Sequence, residues 1–119
     1  MAYDDFEKLV VDALETIPEF FKEKLSNIDI VIEEWPMQRL SPGRLLLGLY
    51  QGVPATTWGR SHSLTLPDKI TIFKGPIELV GRNDPSLIKQ VVTDTVEHEI
   101  AHHFGISDER IKELKQQRN

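Results

Sequence analysis

The stretch from Asp84 to Gly105 constrains this chain most, because it carries its own start, stop and apolar face. Asp84 offers a side-chain acceptor to the first unpaired backbone N–H groups of a helix. Pro85 follows at the position where a missing N–H costs nothing. Between them and the end, Leu87, Ile88, Val91 and Val92 recur at helical spacing. Gly105 then provides the left-handed residue on which helices commonly end. The spacing predicts one long helix from the Asp84 cap to Phe104. A chain of 119 residues has room to pack one domain around it, spanning 1–119.

The rest of the chain reads as shorter pieces. Phe6, Leu9, Val10, Ala13, Leu14 and Ile17 predict an amphipathic helix from Asp4 to Ile17. Pro18 interrupts it, and Pro18 to Leu25 suits a second short helix. Ile28, Ile30 and Ile32 have strand periodicity. Leu40 to Gly43 reads as a turn, Leu45 to Gln51 as a buried strand, and Gly52 to Arg60 as a loop. Leu64 to Leu66 and Ile70 to Phe73 flank Pro67-Asp68-Lys69 as a tight hairpin. A helical turn is expected at Pro76 to Val80, and a last helix to Gln116, capped by Ser107 or Asp108. Helix, then strands, then helices predicts an α+β domain with a small sheet packed against helices.

Composition excludes several functions. The net charge is -5, and no basic stripe is present to neutralise phosphates, so a nucleic-acid partner is not expected. Lys112, Lys115 and Arg118 read instead as cations complementing the last helix's C-terminal dipole. There are no cysteines, which rules out disulfides and thiolate metal sites. No run approaches a membrane span, and the acidic first residues do not resemble a signal peptide. The expected location is the cytoplasm, and the oligomeric state is not legible.

Chemistry concentrates at His98-Glu99-Ile100-Ala101-His102. Residues four apart on a helix differ by roughly 40° in direction and about 6 Å in rise. His98 and His102 can therefore meet one metal ion, and neutral imidazole suits zinc. Glu99 lies about 100° around the helix from His98. A carboxylate there is placed to take a proton from water activated by the metal rather than to ligate the ion. On a helical wheel both histidines fall near Leu87 and Val91, so they are expected to point inward.

A catalytic zinc site usually takes three protein ligands and keeps one position open. Asp108 follows the Gly105 turn and is our candidate for the third. It also suits the first turn of the last helix, and the two roles are compatible if Ser107 caps. Glu109 is next, with Asp94, Glu97 and His62 behind it. His62 itself reads as a surface histidine. We read His103 as a buried structural histidine, bonded to the strands or to Glu99, rather than a fourth ligand. Asp94, one turn before His98, either orients that ring or is a solvated carboxylate. Trp58, Arg60 and Tyr50 either contact substrate or pack.

With these residues in place, the chain resembles the minimal zincins, small bacterial zinc metallopeptidase-like proteins of about this length. The resemblance covers nearly the whole chain. It is carried by Leu46 to Pro54, by Leu66 to Ile70 and, most specifically, by His98 to Arg110. The last segment is similar to a His-Glu-x-x-His-x-x-Gly-x-x-Asp pattern, in which the Asp completes the metal site. That position is Asp108 here, so the resemblance implies zinc held by His98, His102 and Asp108. It also implies a small zincin-like fold with a few-stranded mixed sheet against the active-site helix. Larger zincins place a Met-containing turn after the motif, whereas Met1 and Met37 both precede it here.

The expected activity is zinc-dependent hydrolysis of peptide bonds with Glu99 as general base. A peptide or protein substrate would lie extended along a strand edge, for which Ile70 to Phe73 is the candidate. The alternative is a zinc-binding or peptide-binding module without turnover.

Overall fold

The computed structural model describes residues 1–37, 45–52 and 67–116. The expected turn at Leu40 to Gly43, the loop beyond Gly52, the strand arm Leu64 to Leu66, and His62, Trp58, Arg60 and Arg118 lie outside them.

Two helices come first. α1 (Tyr3–Thr16) buries Phe6, Val10 and Ala13, three or four residues apart along one stripe. Pro18 cannot continue that helix and instead precedes α2 (Glu19–Leu25), which buries Phe21. The strands are β1 (Ile28–Glu33), β2 (Gly48–Gln51) and β3 (Asp68–Phe73). Three further helices follow among the described residues: α3 (Lys74–Val80), α4 (Pro85–Phe104) and α5 (Asp108–Gln116). The sheet runs β1-β3-β2, with β1 parallel and β2 antiparallel to β3. This is the expected α+β architecture with a mixed sheet. No helix among the described residues is long and apolar enough to cross a membrane.

The strand expected at an edge is the central one. β3 pairs on both sides, so Ile70 to Phe73 have no free row of main-chain groups to offer a peptide. Ile70, Thr71, Ile72 and Phe73 are all buried, although alternate residues point to opposite faces. Their composition fits that position, since every one is β-branched or aromatic. The run Leu45 to Gln51 departs from expectation in the opposite sense. Within it only Gly48–Gln51 forms strand, β2 lies at the edge of the sheet that the described residues form, and Leu45 and Leu49 are exposed.

α4 has the boundaries its sequence predicts. Asp84 Oδ1 accepts from the Ser86 N–H at 3.0 Å. Gly105 adopts φ 69 and ψ 32, and the Ile106 N–H returns to the Ala101 carbonyl at 2.8 Å. The buried stripe differs from the one expected. Ile88, Val92, Val96 and Ile100 are fully buried, at steps of four, while Leu87 is exposed. Two residues beyond Val96 or Ile100 is about 200° around the helix. His98 and His102 are accordingly exposed on the far side rather than pointing inward.

β2 lies directly against α4. A Cβ at Gly48 would sit 2.6 Å from Thr95 Cγ2 and 3.2 Å from the Thr71 carbonyl oxygen. No real side chain tolerates that approach, so glycine is what allows the edge strand and the motif helix to meet.

Candidate active site

His98, Glu99, His102 and Asp108 line one cavity of about 250 Å³, closed on its apolar side by Ala101, Ile106 and Ile111. The two histidines come from successive turns of α4. Asp108 comes from the start of α5, brought back by the Gly105 turn. Ser107 caps α5 by accepting from the Arg110 N–H at 3.1 Å, which leaves the Asp108 side chain for the cavity. Glu109, the next candidate in the sequence, is exposed and is absent from the cavity lining.

His98 Nδ1 lies 2.7 Å from the Asp94 carbonyl oxygen. A carbonyl can only accept, so the proton of a neutral ring sits on Nδ1 and the Nε2 lone pair is left available. The sequence left Asp94 as either a partner for this ring or a solvated carboxylate. Its backbone is that partner, while its carboxylate pairs with Lys115 at 3.0 Å. Glu97 is likewise engaged elsewhere. It is 0% exposed and pairs with the same Lys115 Nζ at 3.0 Å. Burial alone would lower the Lys115 pKa, but hydrogen bonds to Glu97 and Asp94 outweigh it and raise the value. Lys115 stands in the last turn of α5, as its position suggested, and also serves an interhelical ion cluster.

Glu99 is held by the sheet. Its Oε1 accepts the Tyr50 backbone N–H at 2.9 Å. The Phe73 N–H donates to the Leu47 carbonyl, so alternation directs the main-chain groups of Leu47 and Leu49 to β3 and those of Gly48 and Tyr50 outward. Glu99 therefore meets the edge of β2 that faces away from β3. Tyr50 is fixed in turn: its hydroxyl donates to Asp68 Oδ2 at 2.6 Å. Burial, with the hydrogen bond and charge of Asp68, pushes the phenol pKa well above its ordinary value.

His103 is not the buried histidine expected. It is exposed, and its ring stacks on Tyr50 with centroids 3.9 Å apart and planes 14° from parallel. It does not line the cavity. The sequence left Tyr50 undecided and missed Asp68 altogether. No local signal couples residues this far apart in the chain.

A second cavity, about 440 Å³, shares His98 and Glu99 with the first. Leu45, Leu46, Leu47, Val80 and Val91 make it largely apolar, and Gly48 and Thr95 form part of its wall. A mixed and a largely apolar space therefore meet at the same two side chains.

The family model of the zincin-like metallopeptidases matches residues 25–118. The chain belongs to that family. The match runs from the end of α2 through the last helix and leaves α1 outside it. This zincin-like chain is also similar to a solved structure, a conserved hypothetical protein from T. thermophilus. The two are 29% identical with a TM-score of 0.60, over 87% of this chain and 94% of that one. No curated protein matches the chain.

Zincin-like proteins typically hold zinc, and the donors here can be compared with that requirement. Among the described residues, no three His, Asp or Glu side chains stand close enough together to grip an ion as placed. The donor chemistry nevertheless fits: two exposed imidazoles, one with Nε2 freed, share a cavity with a carboxylate from the next helix.

Proposed function

We propose that this protein is a zinc-dependent peptidase whose zinc is held by His98, His102 and Asp108, with Glu99 as general base. One observation carries the reading: the two imidazoles, the Asp108 carboxylate and the Glu99 carboxylate line a single cavity. The pattern His98-Glu99-x-x-His102 within a zincin-like metallopeptidase supports it further.

When bound, zinc supplies a Lewis acid that polarises the scissile carbonyl and makes water a better nucleophile near neutral pH. The chain's own residues would do the rest. The Asp94 carbonyl keeps the His98 ring in the tautomer that presents Nε2. Glu99 takes a proton from the attacking water and returns it to the leaving amine. The Tyr50 N–H holds the Glu99 carboxylate at the edge of β2, beside the space where the water would enter. A peptide would lie along that edge, since Gly48 turns its main-chain groups outward next to the apolar cavity. An apolar substrate side chain would fill the cavity between Leu47 and Val91.

The test is metal analysis of the purified protein, followed by digestion of a peptide library with and without a chelator. Stoichiometric zinc with chelator-sensitive cleavage supports the proposal. Zinc without any cleavage would favour the binding-module alternative, and no zinc at saturating metal would reject the peptidase reading.

A further inference from the structure

The ion cluster at the far end of α5 has no part in the chemistry above, yet its Lys115 lies on the same helix as Asp108. Lys115 follows Asp108 by seven residues, which is two helical turns and about 20° short of full register. The two side chains therefore project from one face of α5, roughly 10 Å apart along its axis. That face lies on α4 at both ends. Asp108 reaches the cavity lined by His98 and His102, and Lys115 reaches Asp94, one turn before His98 on α4, and Glu97, the residue just before it.

The apolar contacts of α5 do not by themselves fix its rotation. Ile111 and Leu114 are buried, but an apolar face tolerates some rolling and sliding. An ammonium between two carboxylates is more demanding. Glu97 is 0% exposed, and a buried carboxylate without its cation is strongly unfavourable. Lys115 Nζ lies 3.0 Å from Glu97 and 3.0 Å from Asp94, so a directional contact ties the end of α5 to α4.

We propose that Lys115 is a positioning residue for the metal centre: its pairing with Glu97 and Asp94 sets the rotation of α5 that turns Asp108 toward His98 and His102. The proposal rests on the reading of those three residues as zinc ligands. Asp94 joins the two halves, since its side chain meets Lys115 while its carbonyl holds the His98 ring.

The experiment is a chelator-competition zinc titration of four proteins: wild type, Lys115→Met, Asp108→Ala and the double variant. Groups that orient metal ligands typically contribute about 10–100-fold in affinity, and Lys115→Met should weaken zinc by that range. In the Asp108→Ala background the same change should cost less than about threefold, because its effect passes through Asp108. Lys115→Arg, which keeps the cation, should recover most of the loss. Glu97→Gln with Lys115→Met removes both charges of the pair, so it guards against misfolding of the single variant and should show the same zinc loss. Circular dichroism of each metal-free protein checks the fold. Wild-type affinity in both Lys115→Met and the charge-free pair would overturn the proposal, as would an equal loss in both Asp108 backgrounds. Asp108→Ala with undiminished zinc would instead remove the ligand reading on which it stands.

Discussion

The Tyr50 backbone N–H and the Glu99 carboxylate meet at 2.9 Å, joining the outer edge of β2 to the motif helix. This bond needs no particular side chain at residue 50, because the donor is main chain. What it needs is close approach, and Gly48 provides it. Glu99 is thereby held at the junction of two cavities, both of which it lines together with His98.

Replacing Glu99 by Gln separates its chemical role from a structural one. Gln retains an acceptor for the Tyr50 N–H, so zinc content should stay near that of the wild type. Turnover should fall by about 10²–10⁴-fold, the usual worth of a general acid–base group. Steady-state kinetics and metal analysis on the same preparations give both numbers. Loss of zinc together with activity would assign Glu99 to coordination and refute the mechanism.

His98→Ala and His102→Ala should each abolish stoichiometric zinc with little effect on the metal-free fold. Both side chains are exposed, and such substitutions usually change stability by no more than about 0.5 kcal/mol. The wild type should gain roughly 2.7 kcal/mol at zinc a hundredfold above its Kd. Thermal melts with and without zinc distinguish the outcomes: the wild-type midpoint should rise and those of the two variants should not move.

Gly48→Ala should loosen the contact between β2 and α4. The added methyl would meet Thr95 Cγ2 at 2.6 Å, and overpacking of this kind costs about 1–3 kcal/mol. Urea denaturation measures the loss. Hydrogen exchange at the Tyr50 amide should also quicken, since its acceptor moves away with α4. An unchanged exchange rate would show that the bond does not depend on this approach.

Tyr50→Phe removes the 2.6 Å bond to Asp68 and should destabilise the fold by about 1–2 kcal/mol at neutral pH. It should also alter alkaline behaviour. Because the folded phenol pKa lies above the unfolded value of 10.0, its stabilisation is complete below that pH and is lost as pH rises through the folded value. The wild type should therefore lose stability above about pH 10, and the Phe variant should lose less over the same range. Denaturant midpoints at pH 8 and pH 11 compare them.

Local chemistry made much of this protein legible before any tertiary structure. The limits of α4 follow from Asp84, Pro85 and Gly105, because caps and left-handed turns are settled by a residue and its near neighbours. The spacing of His98, Glu99 and His102 needs only helical geometry, and the Gly105 turn is enough to bring Asp108 back to them. Packing decided the rest. Whether Ile70 to Phe73 lie at an edge or in the middle depends on which strands pair, and pairing energies come from residues distant in the chain. The outward rotation of the histidines follows from which of two adjacent apolar stripes α1 and the sheet covered. The stack of His103 on Tyr50, the hold of Tyr50 on Glu99 and the union of Lys115 with Glu97 all cross between elements. The ion pair forms because burial makes an unpaired Glu97 carboxylate costly, and all three contacts need surfaces that only the assembled core brings together.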